Sequence, residues 1–329
     1  MVVMNQNIEH DRIVFVHVPK TSGTAMYAYL TACSPFGVQQ LERFDADPSS
    51  IDISHADWVG GHMSPHRFSK YLDRDTRRNS WFSMVRDPHQ RMISEVNYSL
   101  DIIARGPSEF AGFNKRGVDV IMHVAETDFT NPFSVVRLLL KISPELSNTL
   151  GRYLLFGIPQ PPGYHPSDDE IRDSLRRYTY IGRQENRDTL ITALDFHAPP
   201  GDPKRKLNVS AYHFDPQIFD DPIVKPYVDL MLEEDHRIYG HILDIFAAPP
   251  AQTNARPSYP VATDENYSED GYLAANPDVR EAVAAGTFKS ARQHFERHGL
   301  VEERRILTAA QPGDGWRETH WFVPHPPRV

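Results

Sequence analysis

Three groups of side chains in this chain have the types and spacing needed to hold an anion and to move a proton. The first is Lys20, Thr21, Ser22, Gly23, Thr24 and Ala25, set between an apolar run at 13–16 and an apolar stretch of helical character at 25–30. Lys20 supplies a mobile positive charge, the three hydroxyls supply donors, and Gly23 lets the backbone come close to a bound group. The second is His62, which follows Gly60 and Gly61; an imidazole with an ordinary pKa of about 6.5 suits a general base near neutral pH. The third is Arg86 with Ser94, a guanidinium fork and a hydroxyl able to grip a phosphate. Arg91, Ser94, Glu95 and Tyr98 fall at i, i+3, i+4 and i+7, on one face of a helix.

The elements around these residues are legible from pattern. Residues 13–16 read as a buried strand, 57–61 and 81–85 as two more, and 178–183 as a later one. Each of the first three runs into a polar turn and then a helix: 25–30, 65–72, and the helix opened by Asp87 as N-cap and Pro88 in its first turn. In open α/β sheets the ligand crevice lies at the carboxyl ends of the strands. His62 and the loop at 19–24 are therefore expected at such an edge. The first N–H groups of a helix have no partner inside it and its dipole is positive there, so the start of the helix after Gly23 is suited to phosphate or sulfate. The ATP-binding loop places its lysine after its second glycine. Here Lys20 precedes Gly23 and no earlier glycine leads the loop, so the wiring differs. For each group a plainer reading stands beside this one: a strand–turn–helix with a surface lysine, a strand-end histidine bonded to backbone, and a helix-start arginine paired with Asp87 or Glu95. His66 is the weaker base candidate, expected in solvent.

HVPKTSGT after an apolar strand resembles the 5′-phosphosulfate loop of the heparan sulfate 2-O-sulfotransferase-like family of carbohydrate sulfotransferases, and VRDPHQRMIS resembles that family's 3′-phosphate signature. The resemblance covers about the first three quarters of the chain. It implies a three-layer, P-loop-NTPase-like α/β fold with a mainly parallel sheet, related in plan to nucleotide kinases. It implies 3′-phosphoadenosine 5′-phosphosulfate (PAPS) as co-substrate and a hydroxyl acceptor on a glycan or glycoconjugate. By the same resemblance Lys20 and the N–H groups of residues 21–25 face the sulfuryl and 5′-phosphate, Arg86 and Ser94 hold the 3′-phosphate, and His62 is the base. Arg91 matches a second, structural arginine. Some members carry a further histidine two positions before the base, where this chain has Gly60. A loop near residue 206 closes over the nucleotide in relatives, which makes Lys206 and Asn208 expected contacts, with a solvated loop as the alternative. No metal is required, because Lys20 can neutralise charge.

The bulk numbers limit the other classes. A length of 329 residues and 40% hydrophobic content allow a substantial core. A net charge of −9 argues against a general nucleic-acid binder, so an anionic ligand needs a local basic site. Cys33 is the one cysteine, expected to be packed, and excludes an intrachain disulfide. No stretch reaches the roughly 18 apolar residues of a membrane span, and the N-terminal residues lack a signal-peptide run. The expectation is a cytoplasmic chain of bacterial type. Residues 1–246 read as the catalytic domain, 247–265 as a linker, 266–306 as a small helical module, and 307–329 as a tail. Basic residues Arg105, Lys115, Arg116, Arg137 and Lys141 could meet an acidic acceptor or form a solvated helix face. His294 and His298 lie at i, i+4 with no third metal ligand evident. Two other functions fit the same residues: an ATP-dependent kinase on a related plan, and a non-catalytic glycan-binding protein working through the C-terminal module.

Overall fold

The computed structural model describes residues 11–54, 56–74, 76–156, 165–197, 211–252 and 256–308. In chain order the regular elements begin with β1 (Arg12–His17), α1 (Gly23–Cys33), β2 (Gly37–Val38), β3 (Trp58–Gly61), α2 (Pro65–Leu72), β4 (Asn79–Val85) and α3 (Pro88–Arg105). Then come α4 (Lys115–Ala125), α5 (Pro132–Leu146), α6 (Thr149–Leu154), α7 (Asp168–Leu175), β5 (Tyr180–Arg183), α8 (Arg187–Leu194) and α9 (Lys225–Ile245). The C-terminal part holds α10 (Glu269–Ala275), α11 (Pro277–Ala284) and α12 (Ala291–His294).

The five strands form one sheet in the order β2-β3-β1-β4-β5, and every neighbouring pair is parallel. Every residue of β1 is buried, because both faces of a parallel sheet are covered by helices. Its side chains alternate. Ile13 and Phe15 join a core with Met26, Tyr27 and Leu30 of α1 and Leu190 and Leu194 of α8. Val14 and Val16 join the opposite core with Phe68 and Tyr71 of α2, Leu150 of α6, Ile171 of α7 and Ile238 of α9. The architecture is α/β with helices on both faces. A third core links Met92 and Val96 of α3 with Val135 and Leu139 of α5 and Val228 and Leu232 of α9. It forms a helical block standing beside the sheet.

Alternation and length place β1, β3, β4, β5 and α2 where the sequence pattern puts them. Strand β2 has only two residues, too few for a period to show. No helix among the described residues is long and apolar enough to cross a membrane. Helices α10 to α12 have a small core of their own around Tyr272, Val279 and Phe295. The segment leading into them is tied down. The Tyr259 N–H donates to the Cys33 carbonyl at the end of α1, the Arg256 N–H donates to Asp195 O, and Arg305 Nη1 donates to Ala32 O at 3.1 Å. Cys33 is fully buried, and burial pushes its thiol up to about 12.

Candidate active site

The site lies at the carboxyl ends of β3, β1 and β4, three adjacent strands whose register aligns their tips. Val16 pairs with Gly61 on one side, and His17 pairs with Met84 on the other. His62 therefore leaves β3 one residue past its pairing with β1, and Arg86 leaves β4 two residues past its own. Neighbouring strands in a sheet run about 4.8 Å apart. The chain runs from β1 out to β2 and β3 on one side, then crosses to β4 on the other, so β1 stands at the point where the strand order reverses.

The loop between β1 and α1 has an unusual backbone. Lys20 and Ser22 both sit in the left-handed region at φ 65°. A non-glycine residue there costs about 1–2 kcal/mol, and two in three residues mark a loop held by its surroundings. Part of that hold is Thr21, which is buried and donates its hydroxyl to Val18 O at 2.7 Å. Helix α1 begins with Ser22 as N-cap but without a side-chain cap, and no acid lies in its first turn. Ala25 N–H is bonded to Ser22 O at 3.0 Å, whereas the N–H groups of Ser22, Gly23 and Thr24 have no protein partner among the described residues. Of the expected donors, the Ala25 N–H is used within the first turn. The Thr21 hydroxyl is used by Val18 O, while its N–H has no bond among the described residues. Ser22, Gly23 and Thr24 keep their open N–H groups.

Lys20 Nζ rests 3.7 Å from the centre of the Tyr98 ring on α3. Its pKa is lowered, first by burial; Glu95 and Asp101 oppose that, and Arg86 and Arg105 add to it. The Arg86 guanidinium is thus close enough to act on Lys20. Arg86 is half-buried and has no hydrogen bond or ion pair among the described residues, so the pairing with Asp87 or Glu95 weighed from the sequence does not occur. Asp87 instead caps α3, accepting from Gln90 N–H at 2.9 Å. Ser94, on the second turn of α3, is half-buried with its hydroxyl also free of protein partners among the described residues. Arg91 is buried and donates to Leu146 O at 3.1 Å, with Asp235 of α9 at 3.9 Å. It joins α3 to the helices behind it, as a structural arginine should.

His62 is fixed at both its backbone and its ring. Its N–H donates to Glu42 Oε2 at 3.1 Å, and its Nδ1 lies 2.9 Å from His17 O. A carbonyl only accepts, so Nδ1 carries the proton, and in the neutral ring Nε2 is left as a bare lone pair. Burial lowers the pKa of His62, while Glu42, the bond to His17 O and Glu95 pull the other way. The ring stays neutral and basic near pH 7. Beside it opens a cavity of about 480 Å³, lined among others by Pro19, His62, Glu95, Tyr98, Arg116 and Tyr153.

Three further arginines border this cavity but are committed to protein. Arg67 pairs with Asp45, Arg91 is bonded as above, and Arg152 donates to the Pro144 and Glu145 carbonyls. Of the five basic residues that could meet an acceptor, Arg116 alone lines it; Lys115 pairs with Asp119 at 2.8 Å and Arg105 with Glu109 at 3.8 Å. Lys206 and Asn208 lie outside the described residues. His66 is exposed on α2.

Pattern reading misses His17. It ends β1, is buried, and stacks on His62 with ring centroids 3.9 Å apart. The signal for it is Gly23: a Cβ at that position would come within 1.9 Å of His17 Nε2. The glycine makes room for an imidazole, whatever else it admits. Glu95 enters the pattern only as part of a helix face, yet its charge acts on both Lys20 and His62. Comparison with protein-family models and with curated proteins gives no match for this chain.

Proposed function

We propose that this chain is a sulfotransferase that moves a sulfuryl group from PAPS to a hydroxyl, on a carbohydrate acceptor, within a P-loop-like α/β fold of the sulfotransferase type. One observation carries the reading. An uncapped helix N-terminus with Lys20, an Arg86 without a partner among the described residues and a neutral, tautomer-fixed His62 stand at the tips of three adjacent parallel strands. A donor with phosphate groups at both ends of one nucleoside needs two anion sites side by side, and an acceptor hydroxyl needs a base beside them. The residues present fit such a donor. The open N–H groups of Ser22, Gly23 and Thr24 meet the 5′ end, and Arg86 with Ser94 meets the 3′-phosphate.

In this reading Lys20 leaves its rest on Tyr98 to meet the charge on the sulfuryl oxygens and the bridging oxygen, a preorganised electrostatic role. His62 Nε2 takes the acceptor proton as the new S–O bond forms. The S–O bond to the 5′-phosphate breaks in line with it, and 3′-phosphoadenosine 5′-phosphate (PAP) departs with the electron pair. The cavity beside His62 receives the acceptor. Its volume of about 480 Å³ falls within the roughly 300–1,000 Å³ of small-molecule sites.

The deciding experiment is transfer of labelled sulfate from PAPS to a panel of glycans, lipids and small alcohols. Transfer to at least one hydroxyl is expected, and His62→Ala should lose about 10²–10⁴-fold in turnover while still binding PAP. Absence of transfer across the panel, together with tight magnesium–ATP binding indifferent to Arg86→Ala, would replace this reading with a kinase. Loss of glycan binding on deletion beyond residue 246, with no effect of His62→Ala, would favour a non-catalytic binding protein.

A further inference from the structure

The imidazoles of His17 and His62 lie face against face, with planes inclined by 30°. His17 is 7% exposed and wedged between His62 and the backbone of Gly23, with the Tyr27 ring edge-on at 5.2 Å. Its Nδ1 is buried without a hydrogen-bond partner among the described residues. Among the described residues no N–H of Ser22, Gly23 or Thr24 is bonded to this ring, and a leucine would fill the same apolar space without an unsatisfied nitrogen. Resting on the reading of His62 as base, we infer that His17 is a positioning residue for it: the stacked pair accepts one proton, held on His62 Nε2, while His17 stays neutral and presents its π face to the imidazolium.

Two imidazolium rings at this separation, shielded from water, repel strongly, so the pair titrates as a unit and not as two independent groups. A neutral aromatic face attracts a cation stacked on it, more so when water is excluded. The surroundings decide which ring takes the charge. Burial first, then the positive charges of His62 and Lys20, disfavour a proton on His17. His62 is faced by Glu42 from the turn at 41–44, by Glu95 from α3, and by the His17 carbonyl from β1. Tyr153 of α6 stands edge-on at 6.5 Å, and Lys20 lies on the neighbouring loop. Both carboxylates therefore favour a proton on His62. After accepting one from the acceptor hydroxyl, His62 carries its positive charge against the His17 ring, and loses the proton to solvent when the product leaves.

Proton-detected ¹H–¹⁵N spectra of the imidazoles test this on the full chain, with signals assigned through His17→Phe and His62→Asn. In the wild type His62 should titrate while His17 keeps neutral-ring shifts down to about pH 5. His17→Phe should leave the His62 midpoint nearly unchanged, and His17→Leu should weaken its proton affinity about tenfold. In the transfer assay the leucine variant should lose about tenfold in kcat with KM for PAPS unchanged, and phenylalanine should restore it. Two protons taken up over the same pH range, or equal His62 midpoints in the leucine and phenylalanine variants, would overturn the inference. The wild-type titration decides the proton count, and backbone-to-side-chain correlations in the wild type assign the two rings where a variant fails to fold. A chain that shows the single-proton titration but transfers no sulfuryl group loses the proposed function and keeps the pair; the opposite result loses the pair alone.

Discussion

The turns that follow β1 and β4 do the same topological job and are built in opposite ways. After β4, Asp87 caps α3 with its side chain and Pro88 occupies the first helical position, where no N–H is needed. That helix start bonds two of its N–H groups within itself, Gln90 to the Asp87 side chain and Arg91 to the Asp87 carbonyl. After β1, Ser22 sits at φ 65° without capping through its side chain, no acid lies in the first turn, and the Ser22, Gly23 and Thr24 N–H groups stay open among the described residues. The difference teaches where each turn can hold an anion. In the proposed function the turn after β1 does so with backbone N–H groups, which side-chain truncation leaves in place, and the turn after β4 relies on the side chains of Arg86 and Ser94. A set of substitutions should therefore read differently at the two turns.

The largest effect is expected at the open turn. Lys20→Met should cut sulfuryl transfer about 10²–10³-fold, while calorimetry shows PAP binding reduced far less, because the helix N–H groups remain. A parallel collapse of binding would mean that the lysine, and not the backbone, holds the 5′ end. At the turn after β4, Arg86→Ala should weaken PAP about 10–100-fold and leave 5′-AMP within about twofold. Equal losses for both ligands would remove Arg86 from the 3′ site.

Acid should loosen the open turn first. Burial, then His62 and Lys20, hold the pKa of His17 well below its ordinary 6.5. Between those two values the unfolded chain binds more protons than the folded one, so stability rises with pH through that window. It is complete above pH 6.5 and is lost as the pH falls below. A fall of several degrees in Tm between about pH 7 and pH 5 is expected, and His17→Phe should flatten it. An unchanged slope in that variant would move the acid sensitivity elsewhere.

Caps give the smaller effects, with opposite signs. Asp87→Ala should cost about 1 kcal/mol in urea unfolding. Ser22→Gly should stabilise by up to about 1 kcal/mol, since glycine adopts φ 65° without a Cβ clash. A destabilising Ser22→Gly would show that the serine is bound to something the turn needs.

Much of this contrast is legible in the residue pattern alone. Apolar runs bounded by turn residues locate β1, β3, β4 and β5, and Ser64 followed by Pro65 marks α2. Arg86 and Ser94 stand out because a guanidinium just past a strand end and a hydroxyl two turns into the next helix form a local pattern. The pairing of His17 with His62 is not local. It depends on the register of β1 against β3, which sets two rings 45 positions apart in contact, and periodicity carries no register. Thr21 and Ala25 look available by residue type and position. The bonds to Val18 O and Ser22 O that use them depend on the left-handed backbone at Lys20 and Ser22, and nothing in those residue types announces it. Likewise 247–265 reads as a linker on composition, although Arg256 and Tyr259 within it bond to the end of α8 and to α1.

The far end of α1 carries a consequence for biosynthesis. Its closing carbonyls, on Ala32 and Cys33, accept from Arg305 and Tyr259, the former 273 residues later in the chain. The final turn of α1 is thus secured by residues synthesised long after it. A nascent polypeptide halted anywhere before residue 259 would present the cradle-bearing helix with its tail unfastened.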